Sequence, residues 1–368
     1  MASHNAQNER IKRQYFAYLK EAKRFSEASL DAVAAALHRF EAYNRFKDFK
    51  AFHHQQAIAF KRHLAEQKNE RSGQPLSKAT LHATLTALKN FFHWLAGQPG
   101  YRSRFSYADS EYFNISEKEA RVAKAHRDRD GPTIEQVRHV LASMANGTDI
   151  EKRDRALIAF ALLTGARDNA IASFRLKHID IGAGRVEQDA REVRTKFSKS
   201  FPTWFFPVGD DVREILVEWV RFLKEERLWG MDDALFPATK IAQNVDRQFY
   251  AEGLAHHCWS NAGPIRTIFR RAFEAAGLPY FHPHSFRKTL TQLGEARCRT
   301  PEEFKAWSQN LGHEKVMTTF SSYGNVAPAR QAEIVAGLGS QLRASDEQAT
   351  LKHISELLSK AVNGLTAK

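Results

Sequence analysis

Cysteine is almost absent: Cys258 and Cys298 are the only two in 368 residues, which excludes a disulfide framework and suits a reducing compartment. Long apolar runs are missing as well. The longest, Ala156 to Leu163, falls far short of the ~20 residues that a membrane span needs, and the N-terminal MASHNAQNER has no apolar stretch that would serve a signal peptide. A soluble, intracellular protein is expected, with no membrane partner. Metal-ligand sets are lacking too. His256, His257 and Cys258 stand together, but no C-x-x-C or H-x-x-x-H partner accompanies them, and they read as an ordinary polar helix or loop segment. There is neither a G-x-x-x-x-G-K-S/T phosphate loop nor an acidic metal cluster. No metal and no nucleotide cofactor is therefore expected.

What is present begins with size and charge. An apolar share of 43% in a chain of this length is enough for real cores, and two domains are expected. Lys and Arg number 55 against 42 Asp and Glu, a formal charge of +13, and the pI is near 9.7. A polyanionic partner, nucleic acid above all, fits that balance. The excess is unevenly spread: residues 1–130 hold 23 Lys and Arg against 14 Asp and Glu, nine of the thirteen surplus charges.

In chain order, residues 9–25, 28–44, 53–68 and 78–96 read as helices. Leu30, Val33, Leu37 and Phe40 recur at helical spacing in the second. Ser77 is a natural N-cap for the fourth, whose Leu81, Leu85, Leu88, Phe92 and Leu95 form an inner stripe. This is an all-α, basic module, with Lys61, Arg62, Lys78 and Lys89 as candidate contacts to a phosphate backbone. Residues 115–131 are charged, lack an apolar stripe and end in Gly131-Pro132, as a linker would. Thr133 and Gln136 then make a capping box for a helix burying Val137, Val140, Leu141 and Met144. A second helix over 153–165 is apolar on nearly all sides and belongs in the middle of a C-terminal domain.

That buried helix ends at Thr164-Gly165-Ala166-Arg167. A small antiparallel sheet is expected next, with Gly182 and Gly184 in a turn, Val193, Thr195 and Phe197 alternating along a strand, and Lys196 and Lys199 on the connecting turn. Helices resume at 211–227, 264–277, 285–296, 301–308 and 326–339. Between them come His284 and Arg287, three apart and on one helical face, then the turn-like Leu311-Gly312-His313, then Tyr323. Basic groups thus converge ahead of one tyrosine, the combination a phenol nucleophile needs when its target is a phosphodiester.

The ordered set Thr164-Gly165-Ala166-Arg167, Thr195-Lys196, His284-Ser285-Phe286-Arg287, Leu311-Gly312-His313 and Tyr323 resembles the tyrosine recombinase family, the phage-integrase type of DNA breaking and joining enzymes. The catalytic motifs span about 132–325, and the layout of 9–115 is similar to the family's helical core-binding domain. The resemblance implies a mainly α fold with a small antiparallel β-sheet in the C-terminal domain. It divides the chain into a core DNA-binding domain at 1–115, a linker at 116–131, a mixed α/β catalytic domain at 132–340 and a tail helix at 341–368. It also implies roles. Tyr323 would attack a DNA phosphate to give a 3′-phosphotyrosyl enzyme and a free 5′-hydroxyl. Arg167 and Arg287 would clamp the non-bridging oxygens, Lys196 would protonate the departing 5′-oxygen, His284 would assist proton transfer, and His313 would donate a further hydrogen bond to the phosphate. Lys199 joins the candidate DNA contacts. Because the protein link conserves the phosphodiester energy, no nucleotide cofactor or metal is required.

Two departures from the family pattern stand out. Ala170 occupies a position that is often acidic, with Asp168 and Asn169 beside it as candidates for the supporting role, and Tyr323 lies ten residues after His313 where nine is more common. In the tail, Leu351, Ile354, Leu357, Leu358 and Val362 form an amphipathic stripe, which packs either on its own domain or on a neighbouring protomer. The implied partners are double-stranded DNA attachment sites, further copies in a homo-tetrameric synaptic complex, and accessory DNA-bending or directionality proteins. The implied location is the bacterial cytoplasm, at the nucleoid. Two alternatives come from other classes: an inactive relative acting as an architectural DNA-binding module, against which the full set of catalytic residue types argues, and a type IB topoisomerase, against which the helical N-terminal module argues.

Overall fold

A computed structural model of the chain describes residues 4–69, 73–124 and 131–313. They fall into two compact units, Met1–Arg127 and Asp128–Lys368. Tyr323, the helix expected over 326–339 and the tail helix lie outside the described residues.

The first unit is all-helical. It comprises α1 (Ala6–Ala17), which runs on through a π-helical turn to Ala22, α2 (Glu27–Tyr43), α3 (His54–Glu66), α4 (Lys78–Ala96), and the short α5 (Tyr107–Glu111) and α6 (Glu117–Lys124). The four expected helices are present, with ends within three residues of the expected ones. The Ser77 hydroxyl accepts the Thr80 amide at 3.1 Å and starts α4. The apolar stripes of α2 and α4 point inward and meet in an aromatic core where Phe52 stacks on Phe92 with centroids 3.9 Å apart. One carboxylate is buried there: Glu41 accepts from Lys12 Nζ at 2.7 Å and Asn8 Nδ2 at 3.1 Å, fastening α1 to α2.

The expected linker, 116–131, is partly helical. Its missed signal is the sequence Ser116-x-x-Glu119: the Ser116 amide and hydroxyl both bond Glu119, at 3.1 and 2.8 Å, and the Glu119 amide returns to the Ser116 hydroxyl at 3.2 Å. That reciprocal cap opens α6, which packs on α4 and so belongs to the first unit.

In the second unit Thr133 and Gln136 form their capping box and open α7 (Ile134–Ser143), and Thr148 with Glu151 opens α8 (Asp149–Thr164). Residues 156–163 of α8 are all at most 1% exposed, which is why their sequence shows no polar face. After α9 (Asp168–Ile171), β1 (Ile179–Asp180), β2 (Arg185–Gln188) and β3 (Phe201–Trp204) form an antiparallel sheet in the order β1-β2-β3, with Ile179 opposite Val186 and Val186 opposite Thr203. Next come α10 (Asp210–Arg221), which packs on α8, then β4 (Pro237–Gln243), β5 (Phe249–Cys258), α11 (Gly263–Ala275), α12 (Ser285–Arg297) and α13 (Pro301–Asn310).

Two strand assignments differ from expectation. Val193, Thr195 and Phe197 are not in a strand: β2 stops at Gln188, and Lys196–Ser198 form a tight 3-10 turn inside a long connection to β3. Their alternation reflects separate fates, since Val193 is buried while Phe197 is 76% exposed. The segment holding His256, His257 and Cys258, expected as polar helix or loop, lies on β5 of a second, two-stranded antiparallel sheet. Among the described residues no helix is long and apolar enough to cross a membrane.

The contact of α12 with α13 sets the spacing behind the site. A Cβ on Gly294 would lie 2.6 Å from Trp307 Nε1, the atom that donates to the Leu290 carbonyl at 2.9 Å. Gly294→Ala gains about 1 kcal/mol of helix propensity but overpacks this contact, at a cost of about 1–3 kcal/mol or more. A lower Tm in thermal denaturation is expected; an unchanged or raised Tm would show that α13 yields freely.

Candidate active site

Arg287 is the centre of the site. It projects from the first turn of α12, is 6% exposed, and donates from Nη1 to the Gly165 carbonyl at 2.7 Å and from Nη2 to the Leu311 carbonyl and to His313 Nε2, the latter at 2.8 Å. Both acceptor turns depend on glycine. Gly165 closes α8 in the left-handed region at φ 58°, where a Cβ would also strike Leu290 and Leu311 at 2.9 Å. Gly312 sits at φ 69° with its Cα against the Phe201 ring, leaving 2.4 Å for a Cβ. The turn at 311–313 is further clamped to β3, because Asn310 accepts from the Trp204 amide at 2.8 Å and donates to its carbonyl at 2.9 Å.

Arg167 follows Gly165 by two residues and caps the start of α9. It is half-buried, and burial lowers its pKa. Burial also pulls Arg287 down to about 9, with the charge of Arg167 adding to the effect. Neither guanidinium has a carboxylate partner among the described residues. Two desolvated cations within electrostatic reach of each other, without a counter-charge, make a site for an anion.

The two histidines respond to the same field. His313 is lowered to about 4 by burial and by the charges of Arg287 and Arg167. A guanidinium can only donate, so the lone pair of His313 Nε2 faces Arg287 and the proton is on Nδ1. His284 precedes α12, and although its ring reaches solvent, its packing among protein atoms and the charges of Arg287 and Arg167 lower it to about 4. Its backbone is held by its neighbour: the His284 amide donates to His282 Nδ1 at 3.1 Å.

Lys196 lies on the β2–β3 connection, exposed, with Nζ 4.8 Å from the Phe197 ring centre. Lys199 and His313 line one groove of about 1360 Å³, so the lysine loop borders the same opening as the turn at 311–313. Asp168, beside Arg167, binds Arg266 Nε at 2.8 Å, while Ala170 is buried. Of the candidate DNA contacts in the first unit, Lys61 donates to the Asn114 carbonyl at 2.9 Å, and Lys89 is paired with Glu111 at 2.8 Å. Arg62 and Lys78 face solvent.

Sequence reasoning missed His282, Asn310, Arg194 and the Asp168–Arg266 pair. His282 had a legible signal, since the H-P-H-S run places a second imidazole two residues before His284. The other three act through contacts distant in sequence.

A family model described as the phage integrase family matches residues 133–330, and one described as the phage integrase N-terminal SAM-like domain matches 13–98. The chain belongs to the phage integrase family. Among curated relatives of this integrase, tyrosine recombinase XerC of Lactobacillus delbrueckii subsp. bulgaricus is 22% identical over 291 residues, covering 70% of this chain and 90% of the relative. Among solved structures, a lambda integrase fragment dimer bound to a COC′ core site matches with a TM-score of 0.56 at 14% identity, covering 87% of this chain and 97% of that one. Tn1549 transposon integrase in complex with transposon right-end DNA matches with 0.55 at 14% identity, covering 89% and 99%. These structural likenesses speak for the fold. By family and curated relatives the integrase is a site-specific tyrosine recombinase.

The field at the site sets a titration. In an unfolded chain both imidazoles would take up protons near 6.5, but in the folded integrase only near 4. The unfolded state therefore binds more protons between those values, and stability falls as pH drops from 6.5 towards 4. NMR of the imidazole Cε1 protons is expected to show both rings neutral from pH 8 to below 5. A midpoint near 6.5 for either would separate that ring from the arginines.

Proposed function

We propose that the integrase cleaves and rejoins double-stranded DNA at attachment sites, with one phosphodiester held between Arg167 and Arg287. The observation that carries this reading is the pair of desolvated guanidiniums with no carboxylate partner among the described residues. Their planar forks match the non-bridging oxygens and stay charged at working pH, and they gain most as charge builds on a five-coordinate phosphorus. Tyr323 Oη attacks the phosphorus, its proton passing towards the neutral ring of His284, whose basicity rises once the bound phosphate offsets the charges of Arg287 and Arg167. The bond to the 5′-oxygen breaks as Lys196 Nζ protonates it, leaving a 3′-phosphotyrosyl link and a free 5′-hydroxyl. His313 orients Arg287 through Nε2 and would donate from Nδ1 to a phosphate oxygen. A second DNA 5′-hydroxyl then reverses these steps, and no external energy source is consumed.

The basic first unit, with Arg62 and Lys78 at its surface, supplies backbone contacts along the duplex. The lambda and Tn1549 integrases that share the fold were solved on DNA, the former as a dimer. For this chain the working assembly is a homo-tetramer on two DNA sites, in the bacterial cytoplasm at the nucleoid, with DNA-bending or directionality proteins as partners.

Two variants test the reading on a nicked suicide substrate carrying a candidate attachment sequence taken from the DNA that flanks the coding region. Native protein is expected to form a covalent protein–DNA product and Tyr323→Phe none, with gel-shift binding intact in both; an adduct from Tyr323→Phe would move the nucleophile elsewhere. Arg167 makes no side-chain hydrogen bond to protein among the described residues, so Arg167→Ala removes a phosphate ligand without undoing a turn. Cleavage should fall on the order of 10²–10³-fold while DNA affinity changes little, and an equal fall in both would refute the division.

A further inference from the structure

We propose that Arg194 is a positioning residue for Lys196: it fastens the lysine loop to the element that carries Arg167, so that the ammonium and the arginine clamp address the same phosphate. The proposal rests on Lys196 being the general acid.

The loop between β2 and β3 is twelve residues, 189–200. Its first part is held by Glu192, which binds Lys177 at 2.9 Å and His178 at 2.7 Å, and by buried Val193. Arg194 follows, two residues before Lys196. Its Nη2 donates to the Ala172 carbonyl at 3.0 Å and the Trp259 carbonyl at 2.6 Å, its Nη1 to the Ser260 carbonyl at 2.5 Å, and its amide to Ser173 Oγ at 2.9 Å. Ala172 is the C-cap of α9, the single-turn helix whose N-cap is Arg167. Trp259 and Ser260 lie between β5 and α11, whose Arg266 binds Asp168 at 2.8 Å. One guanidinium therefore ties the approach to Lys196 to both supports of Arg167. The acceptors are three main-chain carbonyls from two separate segments, so the fork answers to geometry and does not merely neutralise charge.

The reason the loop needs such an anchor lies just beyond it. Phe197 at φ 61° and Ser198 at φ 49° are consecutive left-handed residues without glycine, a conformation that persists only where both flanks are held. On the far side the Ala190 amide bonds Ser200 Oγ at 2.9 Å and β3 begins at Phe201. On the near side Arg194 is the side-chain tie nearest to Lys196, after Glu192 and Val193. Released there, the exposed lysine samples many directions, and general-acid catalysis requires it within hydrogen-bond reach of one oxygen.

A 5′-bridging phosphorothiolate distinguishes positioning from plain stability. In that substrate the P–S bond breaks with its electron pair leaving on sulfur, and a thiolate departs without the proton that Lys196 supplies to oxygen. Lys196→Ala, Arg194→Met and Arg194→Lys are compared with the parent on matched phosphodiester and phosphorothiolate suicide substrates, with Tm and gel-shift affinity measured for each. Lys196→Ala should lose about 10²–10⁴-fold on the phosphodiester and recover on the phosphorothiolate. Arg194→Met should lose at least about tenfold on the phosphodiester, as a misplaced general acid would, and recover likewise, with DNA affinity near parental. Arg194→Lys, which keeps the charge but loses the fork, should show the same recovery and serves if Arg194→Met does not fold. If Lys196→Ala recovers but the Arg194 variants stay slow on both substrates, or if they cleave the phosphodiester at the parental rate, the positioning role is overturned. If Lys196→Ala itself does not recover, the general-acid reading falls and takes this proposal with it.

Discussion

A guanidinium removed from water, with no carboxylate partner among the described residues, is the constraint around which the catalytic unit is arranged. Burying an unpaired charge costs several kcal/mol even after relaxation, and Arg287 offsets part of that with two backbone carbonyls and an imidazole lone pair. Each of those acceptors is delivered by a turn that closes in one way only. The Gly165 carbonyl is available because α8 ends in a left-handed residue, and Leu311 and His313 are available because Asn310 locks their turn onto β3. The deficit that remains is one that a bound anion would offset.

Arg167 sharpens that deficit. Its charge and that of Arg287 act on each other and on both histidines, so the rings stay neutral where an ordinary histidine would begin to charge. A neutral imidazole keeps a lone pair for a proton, and a phosphate that offsets the two cations would raise its basicity back towards working pH, where it can take up and return a proton. In the proposed reaction an incoming phosphate relieves the repulsion, and the trigonal-bipyramidal species, carrying more negative charge, relieves it further. On that proposal the same pair of charges supports both binding and rate.

The hairpin of β4 and β5 has a place in this arrangement despite its distance in sequence from every motif. At its base, buried Arg153 on α8 donates to the Pro237 carbonyl at 3.0 Å and Thr239 Oγ1 at 2.9 Å, and its guanidinium lies over Trp259. The residues just after β5 then receive Arg194, and α11 sends Arg266 to Asp168. Ala170, at the position where the family pattern is often acidic, is buried, and the carboxylate of Asp168 two residues earlier is held by Arg266 of α11 at 2.8 Å. Residues 259–266 form a bracket between the lysine loop and the first arginine.

Local chemistry determined much of this in advance. Caps at Ser77 and Thr133, the apolar stripes of α2 and α4, the all-round hydrophobicity of α8 and the order of the motifs are each written within a few neighbouring residues, because helix periodicity and capping are short-range physics. Even the cap at Ser116 was legible, although the charged surroundings concealed it. The second sheet was not: β5 is exposed or half-buried along its whole length, so no inside-outside alternation marks it. Nor were the partners of Arg287, Arg194 and Asn310, which are mostly main-chain groups. A carbonyl has no sequence signature, and only the folded chain decides which one an arginine meets. Sequence alone determined which chemistry the residues are equipped for; the tertiary structure decided where two unneutralised charges come to rest, because desolvation is a property of packing.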